Sequence, residues 1–556
     1  MGDGCQLKEY LTMKKDTLII IGIILLGICM YGLTLRGATG NPTAFEIRGK
    51  LDGHTDAFEL SPERGRYAHV ASLAETGNFE LTKDWAEVAY PDVGISKEEK
   101  YFSFFAPGVS YYALPSYLIG SQFGLAQVAT FSIESFMSII TLVFIFLIGR
   151  KIFALPRWTA FFSVLIYGFA SVSWSYAITL YQNAFTACFI VTAFYAVWRY
   201  SQNDSRYSFL YSAYAWLAYG LSITVDYPNA ILMLPVMLYL AYVSFSVNKA
   251  REGYMLSFRF ASLVTIVAFM AITGLHFWHN AHYYGKWSNV AGTLKNYVRP
   301  VETSTTPLII PHIETVSTSS KLYTDKTDKS TFVTTILHPN TTPTTTDAVT
   351  EKTISGTFHE RLMFKGLYVL LISDERGLFF FTPIFLLVFF GVFYRFKQNE
   401  ADSAITIVPL TLILFNLFLY SAWGDPQGGW AYGPRYLIAS MPWMALFVGV
   451  ALYEWKTSTW RRIITYLLFL YSLGIALLGS LTTNAIPPKS EAVLLQVKKF
   501  NFLSNIDYIK DNRSGSFFYK TYIAQHITLL DYFIVIYIFI ALLAFMTLYL
   551  STRHHE

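Results

Sequence analysis

Ten acids fall between Glu46 and Asp92, in a chain that is only 14% charged overall. Most of them read as a solvated acidic surface. Asp56, Glu59 and Glu63 stand apart because of their neighbours: Glu63 is followed by Arg64 and Arg66, and Tyr67-Ala68-x-Val70-Ala71-x-Leu73-Ala74 then has helical apolar spacing. Ser61-Pro62-Glu63 reads as a helix start, with Ser at the cap, Pro in the first turn and an acid near the positive end of the helix dipole. A carboxylate fixed in this way can take a proton from an attacking hydroxyl. The same three residues fit a plain helix-start acid equally well, so the local sequence leaves both readings open.

Four further segments carry polar chemistry. Tyr101 to Pro115 is aromatic and broken by Pro107 and Pro115, and reads as a pair of helices lying on a membrane surface with Lys100 at its entrance. Trp423 to Tyr436 is rich in glycine, which lets backbone approach a ligand closely, and it ends on Arg435, a permanent planar charge suited to phosphate. An arginine there is also a good interfacial anchor. Asp374-Glu375-Arg376-Gly377 opens an apolar run in a similar way. His279 and His282, in the segment containing Asn280 and Tyr284, have a spacing that can bind metal, but no third ligand lies nearby in sequence.

The elements that must position these residues are apolar helices. The 556-residue chain is 53% hydrophobic and 17% aromatic, whereas soluble domains carry about 25% charged residues. With roughly 20 apolar residues needed to cross a bilayer, twelve spans are expected: 17–35, 127–148, 158–179, 180–198, 209–225, 229–245, 256–278, 377–394, 404–422, 436–455, 463–481 and 528–550. With residues 1–16 on the cytoplasmic side, every short inner connection is basic, from Arg150, Lys151 and Arg157 to Lys456, Arg461 and Arg462. That pattern requires 101–125 to stay outside the bilayer. It divides the chain into an N-terminal membrane module, 17–278, with outer loop 36–126, and an outer loop 279–376. A C-terminal module, 377–550, follows with outer loops 423–435 and 482–527, and 551–556 form an inner tail. The run Thr303–Thr357, dominated by Thr and Ser, has too little apolar surface to fold alone and reads as an outer linker. Asn340-Thr341-Thr342 and Asn512-Arg513-Ser514 fit the glycosylation triplet and agree weakly with outer placement. Three cysteines, Cys5, Cys29 and Cys188, form no disulfide framework or thiolate metal site.

Five pieces in this order carry a family likeness: ERGRYAHVASLAETGNF, FFAPGVSYYALPSYLIG, HNAHYYGKW, DERGLFFFTP and GGWAYGPRYLIASMPW. With them the chain resembles the GT-C superfamily of polytopic glycosyltransferases, which includes the dolichyl-phosphate-mannose–protein mannosyltransferases and the aminoarabinose transferases. The resemblance implies an all-α polytopic membrane protein of the GT-C fold, with about twelve transmembrane helices and a long first extracytoplasmic loop carrying surface helices. It implies inverting transfer of a sugar, mannose among the options, from a polyprenyl-phosphate donor to a protein, lipid or glycan acceptor at the outer face of the cell membrane. Glu63 matches the family acid by its spacing to Arg66-Tyr67. The family usually has Asp there, often paired with a second acid, so Asp56 and Glu59 stay in contention. Arg435 matches the arginine given to the donor phosphate. The family often has Lys before the Ala-Pro-Gly turn, where this chain has Phe105; Lys100, Arg64 or Arg376 would supply that charge, and Arg66 joins them and Arg435 as an expected donor-phosphate residue. Tyr67, Tyr432, Trp430, Asn280 and Tyr284 are the expected substrate pocket. No cofactor is implied with certainty: some members bind a divalent cation and others need none. Membrane lipid is the expected surroundings, and nothing points to nucleic acid.

A transporter or flippase of lipid-linked sugars would also use about twelve spans and basic groups. Such proteins place ionisable residues along an intramembrane path and often show inverted repeats with broken helices. Here Glu134 alone lies well inside an expected span, with Asp226 and Asp531 near span ends. A non-catalytic assembly subunit is the third option. Acids and arginines gathered in the outer loops favour the transferase.

Overall fold

The computed structural model describes residues 2–50, 58–202, 207–250, 253–298, 360–397 and 404–553. Asp56, Asn340 and the Thr/Ser run lie outside the described residues. The chain divides into one unit of Met1–Tyr297 with Thr353–Glu556 and a second of Val298–Lys352; everything below concerns the first.

That unit is helical. A long first helix, α1 (Gly2–Thr34), leads into a polar segment holding α2 (Ala44–Lys50), α3 (Ser61–Thr76), α4 (Lys83–Ala89), β1 (Val93–Ile95), β2 (Tyr101–Ser103) and α5 (Gly108–Gln122). Then come α6 (Ala126–Lys151), α7 (Arg157–Phe169), α8 (Ser173–Tyr176), α9 (Asn183–Gln202), α10 (Phe209–Val225), α11 (Asn229–Leu232) and α12 (Leu234–Ser244). A hairpin, β3 (Phe245–Ala250) and β4 (Gly253–Phe258), precedes α13 (Ala261–Val264), α14 (Ile266–Tyr284) and β5 (Lys295–Asn296). The remainder holds α15 (Met363–Leu371), α16 (Leu378–Phe381), α17 (Val388–Lys397), α18 (Ala404–Ser421), α19 (Met441–Glu454), α20 (Thr459–Leu481), α21 (Lys489–Leu494), α22 (Leu503–Lys510) and α23 (Leu529–Arg553).

Among the described residues seven helical stretches are long and apolar enough to cross a membrane: Lys14–Thr34, Ala126–Lys151, Ser262–Tyr284, Ala404–Ser421, Arg435–Glu454, Thr459–Leu481 and Leu529–Thr552. Phe209–Val225 and Asn229–Ser244 are shorter apolar helices. This is the helix content of an integral membrane protein. Since lipid is as apolar as the side chains, such helices hold together by close packing. A Cβ at Gly391 would lie 1.8 Å from the Phe447 carbonyl oxygen, so only glycine lets α17 seat on α19. The core is aromatic, with Trp443 edge-on to Phe194 at 5.0 Å between centroids and Trp174 edge-on to Phe169 at 5.1 Å.

Several expected spans are interrupted, each for a local reason. The helix expected over 158–179 stops at Phe169, where the hydroxyls of Ser171 and Ser173 both turn back to the Tyr167 carbonyl and compete with the backbone ladder. The run 377–394 is broken around Pro383, which has no N–H to give, into α16, a 3-10 turn and α17. The expected span 256–278 starts later and ends later, because Tyr254 to Phe258 pair with Phe245 to Lys249 as a hairpin. In place of the helix pair expected over 101–115 there is one strand and then one helix, α5, which carries Pro115 inside it.

Two contacts organise the polar end of the bundle. Strand β1 pairs with β2 (Gly94 opposite Phe102) and with β5 (Gly94 opposite Asn296), fastening the first long loop to the chain beyond α14. The backbone of Arg36, just past α1, donates to the Ile178 carbonyl at 3.1 Å and bridges to Ser516, so loops from three parts of the chain meet there. An apolar groove of about 480 Å³ lies elsewhere, lined by Phe379, Phe380, Pro383, Ile464, Leu467, Leu468 and Tyr471.

Candidate functional site

The site begins at the start of α3. The cap position is Leu60 rather than Ser61, whose hydroxyl is taken by Asp92 across the loop. Glu63, in the first turn, accepts the backbone N–H groups of Glu59 and Leu60 on Oε1 and the Thr179 hydroxyl on Oε2. Its side chain therefore closes the helix end and joins it to the loop between α8 and α9. Burial, then the charge of Glu59, pushes the Glu63 carboxyl up to about 7, with Arg36 pulling the other way.

Glu59 has a different setting. Its Oε2 accepts from the wholly buried Arg36 and, at 2.8 Å, from the backbone N–H of Asn484; its side chain remains 11% exposed. Among the described residues its Oε1 takes no hydrogen bond. Arg36 is held in turn by the Gly479 carbonyl at 2.9 Å.

Two arginines flank this acid pair. Arg66, one helical turn beyond Glu63 on α3, donates from Nη1 to the Pro62 carbonyl at 3.0 Å and from Nη2 to Gln182 Oε1 at 2.6 Å. Gln182 passes the link on, its Nε2 donating to Asp226 Oδ2 at 3.4 Å. The Arg66 guanidinium lies 4.5 Å from the Phe105 ring centre and 5.9 Å from that of Tyr181. Arg435 comes to the same ring from the other end of the chain, at 5.7 Å, and lies 5.3 Å from Tyr436. Asn183 Nδ2 donates to the Arg435 carbonyl at 3.0 Å, and Tyr436 stacks on Tyr420 at 4.3 Å. The Nε atoms of both Arg66 and Arg435 are buried with no hydrogen-bond partner among the described residues. Gly428, at φ 72°, has only 2.9 Å between a would-be Cβ and Arg435 Nε, so that loop must be glycine for the guanidinium to fit beneath it.

The electrostatics follow from burial. Desolvation lowers Arg66 to about 10, opposed by Asp226 and then by Glu134, while Arg435 adds repulsion. Burial raises Asp226 to about 6, with Arg66 opposing. Two guanidiniums that repel one another across one tyrosine, each with an unused N–H, form a natural seat for an anion.

The other expected residues are placed differently. Arg64 gives its guanidinium to the carbonyls of Glu59, Val88 and Tyr90. Arg376, 1% exposed, gives its own to the carbonyls of Gln427, Glu375, Gly429 and Ile486. Both tie backbone together, leaving the anion seat to Arg66 and Arg435. Lys100 is 43% exposed and pairs with Glu80 and Glu98. Tyr67 packs among Phe58, Trp85 and Tyr117 in the core. Tyr432 exchanges hydrogen bonds with the Tyr176 hydroxyl through its N–H and carbonyl, and Trp430 donates to Glu491 at 2.6 Å. Asn280 and Tyr284 are buried on α14 beside His276 and His279. His279 and His282 diverge: His279 is buried against Phe79, and His282 stacks on Trp278 at the exposed face. Among the described residues no group of three or more His, Cys, Asp or Glu side chains is placed to hold a metal ion.

Sequence reasoning passed over Arg36, Thr179, Tyr181, Gln182, Asn183 and Asn484, and noted Asp226 only as a span-end acid. A usable signal was present: Thr179-Leu-Tyr-Gln-Asn183 puts four hydrogen-bonding side chains in five residues of an apolar run. Spans laid end to end over 158–198 covered it.

No family model matches the chain, and no curated protein matches it. Among solved structures it is similar to ArnT from Cupriavidus metallidurans in the apo state, with a TM-score of 0.47 at 10% identity over 97% of this chain and 78% of that one. The same protein bound to undecaprenyl phosphate gives 0.45 at 12% identity, over 96% and 77%. Archaeal oligosaccharyltransferase AglB from Archaeoglobus fulgidus, in complex with an inhibitory peptide and a dolichol-phosphate, gives 0.39 at 12% identity, over 88% and 59%. At this level of likeness the functional reading is carried by the site's own geometry.

Proposed function

We propose that the chain is a GT-C-type glycosyltransferase that moves a sugar from a polyprenyl-phosphate donor to an acceptor hydroxyl at the extracytoplasmic face of the membrane. One observation carries this reading. Glu63 of the first long loop, bonded to Thr179, and the guanidiniums of Arg66 and Arg435 gather around Tyr181, with Glu59 joined to Glu63 through its backbone N–H, at an end of the bundle where helices give way to loops.

In this mechanism Glu59 is the base. Its Oε2 is held by Arg36 and its second oxygen is open to the acceptor, whereas both oxygens of Glu63 are taken, Oε1 by the helix start and Oε2 by the Thr179 hydroxyl. The acceptor O–H gives its proton to Glu59 while its oxygen bonds to the anomeric carbon from the side opposite the phosphate. The bond from that carbon to the phosphate oxygen breaks, and the lipid phosphate leaves with the electron pair. Arg66 and Arg435 balance the charge that develops there. The sugar, mannose among the options, is set by contacts away from this charge.

The test is transfer from labelled polyprenyl-phosphate sugars, offered singly to the purified chain. The wild type is expected to release lipid phosphate and label an acceptor with one of them. Glu59→Gln should lower the rate about 1,000-fold while donor binding is kept, the middle of the range a positioned base contributes. Donor binding with no transfer by the wild type would favour a flippase or scaffold and overturn the assignment.

A further inference from the structure

Beside the anion seat, the last turns of α14 bury more polar groups than they pair. His276, His279, Asn280 and Tyr284 follow one another at helical spacing and are 7%, 6%, 2% and 3% exposed. Among the described residues neither ring nitrogen of His279 has a hydrogen-bond partner, nor do Oδ1 of Asn280 and the hydroxyl of Tyr284. The Asn280 amide nitrogen reaches His276 Nε2 only at 3.5 Å and the Trp287 carbonyl at 3.4 Å. The rings of His276 and His279 run parallel at 6.4 Å, and Tyr227 lies 5.8 Å from His276. Tyr227 directly follows Asp226, so this cluster adjoins the Arg66–Gln182–Asp226 chain.

Buried polar atoms left unpaired are destabilising, and several of them on one helix face require a partner that both donates and accepts. The chemistry narrows what that partner is. Among the described residues the unpaired atoms here belong to imidazole, amide and phenol, none of them a fixed cation for an anion to pair with. A metal ion would want a third ligand that the described residues do not bring together. An apolar chain would leave every orphan unpaired. A polyhydroxylated ring fits: its hydroxyls pair with imidazole, amide and phenol in both senses, and its C–H faces lie against aromatic rings.

We propose that His279, Asn280 and Tyr284, with His276 and Tyr227 as walls, form the pocket that recognises the sugar ring of the donor. This rests on the transferase reading, in which the lipid phosphate sits at Arg66 and Arg435. The pocket then supplies selectivity among sugars, because a site built to hydrogen-bond hydroxyls rejects a ring that lacks them.

The experiment compares binding of sugar-free polyprenyl phosphate with a panel of polyprenyl-phosphate hexoses and pentoses, using the purified full chain in detergent. The wild type should bind one sugar-bearing donor at least about tenfold tighter than the sugar-free lipid. His279→Phe and Asn280→Ala should each erase that margin and leave sugar-free affinity unchanged, and His279→Gln should restore part of it. A margin that survives both substitutions, or no margin for any sugar in the wild type, overturns the proposal; the second outcome would mean the pocket holds only water. If polyprenyl phosphate itself does not bind, the transferase reading fails separately. The pocket is then judged with free methyl glycosides, by the histidine-ring NMR signals that vanish in His279→Gln. A shift on titration supports it, and unmoved signals overturn it.

Discussion

The two ends of the helix bundle look alike in sequence and are built differently. At one end Asp16, near the start of the apolar part of α1, accepts from Arg150 at 3.2 Å and Arg157 at 2.9 Å, with all three side chains about one-fifth exposed. At the other, eighteen residues or roughly 27 Å along the same helix, Arg36, Glu63, Arg66 and Arg376 are at most 2% exposed. Shallow ion pairs contribute about 0–1 kcal/mol and are natural anchors at a water boundary. Buried charges each carry a desolvation cost of several kcal/mol and persist only where partners are arranged for them. Among the described residues the Asp16 end also buries Arg395, 4% exposed beside Phe153 and bonded to Thr406, but the other end gathers four such charges and leaves the buried Nε atoms of Arg36, Arg66 and Arg435 unpaired. An arrangement that costs stability in this way points to use.

The sharpest way to break this contrast is to remove the anion seat and a shallow pair in parallel. Arg66→Ala combined with Arg435→Ala is expected to weaken polyprenyl-phosphate binding by at least about 100-fold, in the range for losing buried charge contacts. Arg150→Ala should leave it within about twofold. Equal losses at both ends would end the distinction.

A second test separates the arginines within the buried end. Arg376 serves four carbonyls, so Arg376→Ala should cost about 3 kcal/mol of stability through unpaired backbone groups. The molecules that remain folded should bind lipid phosphate as the wild type does. Thermal unfolding and binding measured on the same sample decide this, and a binding loss larger than the loss of folded protein would make Arg376 part of the seat.

A third test is a pH dependence. The Glu63 carboxyl is raised from its ordinary 4.5 to about 7 in the fold, so the native state binds the extra proton between those values. Its contribution to stability is full below about 4.5 and is lost as the pH rises through about 7. Glu63→Gln mimics the protonated form. Across pH 4.5 to 7.5 the wild-type melting temperature should fall relative to that of Glu63→Gln, and parallel curves would place the carboxyl outside this role.

The residues legible in sequence were those whose role depends on near neighbours. The helix after Ser61 follows from apolar spacing and a proline in its first turn, and Arg66 and Arg435 stood out as charges beside aromatic, glycine-bearing or helical segments. The sorting of the arginines was not legible. Whether Arg64 or Arg376 ends on backbone carbonyls depends on where residues 88, 90, 427, 429 and 486 come to lie, which no local pattern records. The Thr179–Asn183 turn was hidden for a related reason: apolar residues surround it, and its break comes from Ser171 and Ser173 bonding back to Tyr167. The proposal of Glu59 over Glu63 rests on a contact no local pattern records: Arg36 and Asn484, 448 residues apart in the chain, share one of its carboxylate oxygens.

The most direct measurement is a structure of the full chain with polyprenyl phosphate bound. The phosphate is expected between the Arg66 and Arg435 guanidiniums, beside Tyr181 and within reach of Gln182. A phosphate found at the Asp16–Arg150–Arg157 end, or a lipid held only in the groove lined by Phe379 and Leu467 with its headgroup away from both arginines, would contradict the account.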